Sequence, residues 1–253
     1  MDVPLSTLLL LMLVSLLAGF VDAIAGGGGL LTMPALLMTG MDPRLVLGTN
    51  KGQGMFGSGS ALWRYSKSPL LDKKRARVSL LPALGGAVCG VALVSSLSNE
   101  VLRPMVMVLL MGVALLLLIR RPQAPGTPRV ERPAWMAVAV AAVMGAYDGF
   151  FGPGTGTFLI MAYVTLWKDP MDAASANAKV VNFASNVAAL ASFAWAGAVL
   201  WKVALPMGLA QALGAQVGAH VTITRGHSLV RSAVILVSLA LVARLGWQLY
   251  GTL

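Results

Sequence analysis

The chain has 253 residues, of which 57% are hydrophobic and only 11% charged, and its mean hydropathy is +0.80. That excludes an ordinary soluble globular domain, where about a quarter of the residues are charged. The formal net charge of +10 does not point to nucleic acid, because the bases fall in short stretches between apolar segments. Arg64, Lys67, Lys73, Lys74, Arg75 and Arg77 form one such stretch, and Arg120, Arg121, Arg129 and Arg132 another, which is the pattern of cytoplasmic loops in an integral membrane protein.

The first apolar segment, 5–24, has the look of a secretory signal, with Ala23-Ile24-Ala25 as a cleavage site. However, only Asp2 precedes it where a signal needs a base, and the same unit recurs inside the chain at 134–152. It is read as retained. The apolar segments that follow are 30–39, 45–65, 78–97, 101–119, 135–151, 158–166, 173–199, 203–224 and 229–250. Most reach the ~20 residues a spanning helix needs. Segments 30–39 and 158–166 do not. Each follows a glycine break, at Gly26 to Gly29 and at Gly152 to Gly156, so each reads as the second arm of a helical hairpin that re-enters the membrane. Cys89, the single cysteine, has no partner for an internal disulfide.

The chain is doubled. Asp22 and Asp148 stand 126 residues apart, Lys51 and Lys179 stand 128 apart, and so do Arg103 and Arg231. Residues 1–120 form the first transmembrane repeat, 121–133 a Pro- and Arg-rich cytoplasmic linker, and 134–253 the second repeat. If each hairpin returns to its own side, the basic loops put the end of repeat 1 and the start of repeat 2 on the inside, and the repeats are inverted. The expected fold is an all-α integral membrane protein of about eight transmembrane helices in two inverted repeats, each with a Gly-broken hairpin. Secondary transporters are commonly built this way.

Lys51 lies 8 residues beyond Pro43 and Lys179 lies 9 beyond Pro170, which places both roughly 12–14 Å into a ~30 Å hydrocarbon layer. A lysine at that depth either snorkels, pairs with an acid to hold helices together, or binds an anionic substrate. Thr49, Asn50 and Gln53 surround Lys51, and Asn177, Asn182 and Asn186 surround Lys179. Such groups donate hydrogen bonds to oxyanions, or else join helices. The glycine breaks, with Gly28 and Thr155 at the entry to each short arm, free backbone N–H groups that attract anions. Asp22 and Asp148 are the acids within the apolar repeats; they neutralise the lysines, cap the broken helices or take a proton in transport. No nucleophile with a base, no metal-ligand cluster and no nucleotide-binding loop appears, so neither an enzyme nor a cofactor is expected.

On these residues the chain resembles the sulfite exporter TauE/SafE family, also called the toluene sulfonate uptake permease family. The likeness rests on Asp22 with its glycines, on Gly48-Thr49-Asn50-Lys51-Gly52-Gln53, on the run from Ala178 to Asn186, and on Gln211, Gly214, Gly218 and Arg231. The resemblance implies a multi-pass permease of the bacterial inner membrane for sulfite, sulfonates or related small organic anions, coupled to a proton or sodium gradient. A passive anion channel is the alternative. Partners would be the small anion, the coupling ion and the lipid bilayer, and a homo-oligomer is possible. Gly54 stands where the second repeat has Asn182, so the two half-sites are chemically unequal.

Overall fold

The computed structural model describes residues 3–119 and 128–225; the segment 229–250 and Arg231 lie outside them. The described residues are all-helical. Helices α1 (Leu5–Ala25), α2 (Gly29–Leu37), α3 (Pro43–Tyr65), α4 (Lys73–Ser95) and α5 (Asn99–Ile119) make the first half. Helices α6 (Ala134–Phe150), α7 (Thr155–Leu166), α8 (Met171–Trp195) and α9 (Trp201–Arg225) make the described part of the second.

Local chemistry sets the boundaries. Asp42 caps α3 by accepting from the Arg44 N–H at 2.9 Å, with Pro43 following in the first turn, where its missing N–H costs nothing. Asp72 caps α4, accepting from the N–H groups of Lys74 and Arg75 at 3.0 Å each. Helix α1 ends where Gly26 turns left-handed, at φ 76°. Helices α2 and α7 have 9 and 12 residues, lengths of roughly 14 and 18 Å that fall well short of a bilayer. Helix α8 stops at Trp195 and the chain turns at Gly197, so the apolar segment 173–199 is one helix plus a turn.

Two glycine-lined seams join the halves. A Cβ on Gly86 or Gly90 of α4 would fall 2.2 Å from the Ala142 carbonyl oxygen or 2.1 Å from that of Ala146 on α6. The matching glycines of α9 behave alike: a Cβ on Gly214 or Gly218 would lie 1.9 Å from the Leu16 oxygen or 2.4 Å from that of Phe20 on α1. Only glycine allows backbones so close, which assigns these faces to packing within the chain.

The contact registers also fix direction. Along both seams the residue numbers rise together, so α4 runs parallel to α6 and α1 parallel to α9. Ser60 donates to the Ala212 carbonyl and Arg64 meets the His220 ring, so α3 also runs with α9. Between α3 and α8 the numbers run oppositely: Gly48 meets Phe193, Gly52 meets Leu190, Gly54 meets Asn186 and Gly59 meets Phe183. Helices α3 and α8 are therefore antiparallel. Because α1 and α3 share a direction, the short arm α2 brings the chain back to the side where α1 began.

The outer surface is apolar. Leu205, Leu209, Leu213 and Val217 form an exposed stripe on α9, and Leu9, Leu13 and Leu17 one on α1, while Lys51, Lys179, Asn177 and Asn182 are buried. Apolar outside with charge inside is a surface made for lipid rather than water. Helices α1 and α4, of 21 and 23 residues, are long and apolar enough to cross a membrane. Helices α3 and α8 reach that length too, but the polar side chains on their inward faces lower their hydropathy.

Candidate functional site

The two glycine breaks meet at the centre of the molecule. A Cβ on Gly26 would stand 2.2 Å from the Gly156 carbonyl carbon, and one on Gly156 would stand 2.5 Å from the Gly26 Cα. The carbonyls freed at the end of α1 find partners mostly in the other half: Thr157 donates to Ala25, Ser175 to Ile24 and Tyr65 to Ala23. Helix ends leave such carbonyls open, and buried ones must be paired. In the second break Tyr147 donates to the Pro153 carbonyl at 2.7 Å.

Against these breaks the acids and lysines pair crosswise. Lys51 of the first half lies 2.9 Å from Asp148 of the second, and Lys179 of the second lies 2.7 Å from Asp22 of the first. Both lysine side chains are almost fully enclosed, at 2% and 0% exposure. An unpaired ammonium at this depth would be very costly, and pairing removes most of that penalty. Gly152, at φ 99°, serves the Lys51 pair twice: its backbone turn suits glycine, and a Cβ there would come 2.6 Å from the Lys51 Nζ.

The pairs differ in support. Asp148 accepts from Lys51, from the Thr155 hydroxyl at 2.9 Å and from the Ser185 hydroxyl, and its side chain is 6% exposed. Asp22 accepts from Lys179 and from the Gly28 N–H at 3.2 Å, and its side chain is 15% exposed. Asp148 is held by three donors, and Asp22 by two.

Between the pairs lies a cavity of about 40 Å³, room for roughly three water molecules. Asp22, Lys51 and Asp148 line it, together with Thr32, Asn50, Thr155, Asn182, Asn186 and Gln211 and the glycines of both breaks. Two wall oxygens, Asn182 Oδ1 and Gln211 Oε1, are buried without a hydrogen-bond partner. Buried amides are normally satisfied, so these mark a place where a water or a solute belongs.

A family model described as sulfite exporter TauE/SafE matches residues 11–245. The chain belongs to this family. Among curated relatives, "Probable membrane transporter protein ORF9" of Sinorhizobium sp. is 40% identical over 96% of this chain and 94% of its own length. A "Probable membrane transporter protein" of Haemophilus influenzae is 38% identical, covering 98% and 99%. "Probable membrane transporter protein YfcA" of Escherichia coli K12 is 36% identical, covering 95% and 90%. No solved structure matches the chain.

Within this TauE/SafE fold, the residues singled out from sequence divide into three groups. Asp22, Asn50, Lys51, Asp148, Thr155, Asn182 and Asn186 come together around the cavity. Lys179, Gly28 and Gln53 stand just behind it: Lys179 and Gly28 hold Asp22, and Gln53 donates to the Asn50 side-chain amide oxygen at 2.7 Å. Thr49 and Asn177 stand elsewhere. The Thr49 hydroxyl accepts the Leu200 N–H ahead of α9, and the Asn177 amide oxygen accepts the Asp72 N–H ahead of α4, both at 3.0 Å. The same fastening thus occurs once in each half.

Sequence reasoning assigned no site role to Gln211, Ser15 or Ser185. Ser15 donates to the Gln53 oxygen at 2.8 Å, and Ser185 supports Asp148. Helical spacing held the signal for both: Ser15 precedes Asp22 by seven residues and Ser185 follows Asn182 by three, each on the same helix face.

Proposed function

We propose that this TauE/SafE-family chain is a secondary transporter of the bacterial inner membrane that carries small anions, sulfite and sulfonates foremost, through the cavity between its halves. The observation that carries the reading is the cavity itself. It is polar, it lies between the two helix breaks, Lys51 of the first half lines it, and Lys179 of the second half stands behind its Asp22 wall. Broken helices that meet around buried charge are how secondary transporters expose a site to each side in turn. The relatives named as probable membrane transporters support the transport role.

The helix directions support inverted repeats. Helices α1, α3 and α9 run one way and α8 the other; α4 starts beside the start of α8, where the Asp72 N–H meets Asn177 and Arg75 meets Asp169, so α4 and its parallel partner α6 run with α8, and α6, α8 and α4 are the counterparts of α1, α3 and α9 at the repeat offset. Rocking one repeat against the other would open the cavity to opposite faces. The amide and hydroxyl groups of Asn50, Asn182, Asn186 and Thr155 suit oxyanion oxygens, and the inequality of Gly54 and Asn182 suits an anion with one distinct end.

The test is flux of labelled sulfite in proteoliposomes of the full chain, with sulfonates and carboxylates as competitors. Saturable sulfite flux suppressed by a sulfonate agrees with the reading. Absence of flux for every anion, or unsaturable conductance of channel size, contradicts it.

A further inference from the structure

The two ion pairs sum to zero charge, so the cavity that should hold an anion is already neutral. A monovalent anion entering alone would leave one uncompensated negative charge among buried side chains, which a low-dielectric interior strongly disfavours. A proton arriving with it would keep the site neutral, provided that a carboxylate can take it. We infer that Asp22 is that carboxylate, and that one proton enters with each monovalent anion; this rests on the anion-transport reading above.

The asymmetry of the pairs selects Asp22. Asp148 is pinned by Lys51, Thr155 and Ser185, and protonating it would break or reverse three donations. Asp22 loses less, because besides Lys179 only the Gly28 N–H holds it, and its side chain is the more open of the two. The unpartnered oxygens of Asn182 and Gln211 in the same wall invite water that would lead the proton in.

Among the described residues, few other titratable groups face Asp22. Helix α8 brings Lys179, and α3 brings Lys51, itself paired with Asp148 of α6 across the cavity. Tyr65 of α3 donates to the Ala23 carbonyl next along the chain. Helix α2 has no titratable residue, Tyr163 of α7 packs against Arg75, and His220 of α9 meets Arg64. When Asp22 takes a proton, the Lys179 ammonium loses its counter-ion. The incoming anion then replaces the carboxylate, and protonation creates the site that the anion fills.

Two measurements on the full-length protein test this. The first needs no transported solute: infrared difference spectra of the purified protein recorded as pH is lowered. A buried carboxylic-acid C=O band should appear in the wild type and in Asp148→Asn and be missing in Asp22→Asn. A band that survives Asp22→Asn, or that vanishes only in Asp148→Asn, overturns the assignment. The second follows labelled methanesulfonate, whose charge does not change with pH, in proteoliposomes. In the wild type a one-unit pH gradient should drive about tenfold accumulation, while an imposed membrane potential drives none. In Asp22→Asn the dependence should reverse, with potential driving uptake and pH not. Accumulation that follows a sodium gradient, or that keeps its pH drive in Asp22→Asn, contradicts the inference. Loss of all anion flux with the Asp22-dependent band intact would defeat the transport reading and leave the proton site standing.

Discussion

Lys51 and Asp148, 97 positions apart in the sequence, meet at 2.9 Å inside the bundle, with Lys51 in the first half and its counter-ion in the second. The Lys179 and Asp22 pair repeats the exchange in the opposite sense. The halves are thus joined through the side chains that line or back the cavity, and any motion between them acts on those charges directly.

Removing one member of a pair should be worse than removing both. Asp148→Asn alone leaves a buried ammonium and should destabilise the protein by about 3–5 kcal/mol, whereas Lys51→Met with Asp148→Asn should recover much of that loss. Thermal unfolding in detergent of the single and double variants measures the cycle. Additive losses would show that the pair is not a unit.

Adjacent glycines of α4 should respond oppositely. A Cβ at Gly86 would strike the Ala142 carbonyl oxygen, while one at Gly85 meets nothing within 4 Å. Gly86→Ala should cost about 1–3 kcal/mol or more by forcing α4 from α6. Gly85→Ala should gain about 0.5–1 kcal/mol from helix propensity. Apparent melting temperatures of the two variants separate the predictions.

The basic face has a clamp of its own. Arg75 lies 2.5 Å from the buried carboxylate of Asp169 and stacks 5.1 Å from the Tyr163 ring and 4.8 Å from that of Trp167, while Arg129 reaches Asp169 at 3.2 Å. Arg75→Lys keeps the charge but loses the planar stacking and the forked geometry. It should therefore destabilise nearly as much as Arg75→Gln, by about 2 kcal/mol or more. A lysine variant as stable as the wild type would show that charge alone is used.

Much of this architecture is legible in the sequence because it is written in local signals. Glycine runs mark the breaks at Gly26 and Gly152, the length of each apolar run separates the short arms from the long helices, and the 128-residue offset places one lysine opposite the other. Pairing is not legible in that way. Asp22 reaches Lys179 across 157 residues, and only the approach of two broken helices decides which acid meets which base. Thr49 and Asn177 show the opposite limit. Their place beside the lysines in sequence suggests the anion site, yet a helix turns its neighbours about 100° apart, and both side chains fasten the starts of the next helices instead.

Sulfite flux in Lys51→Gln and Lys179→Gln proteoliposomes decides whether the lysines of the two halves carry the anion. Proper insertion is checked in each variant by size-exclusion profile and orientation. Sulfite flux at background level in both variants, with folded protein in the membrane, is the result predicted here; flux at the wild-type rate in either one would contradict it.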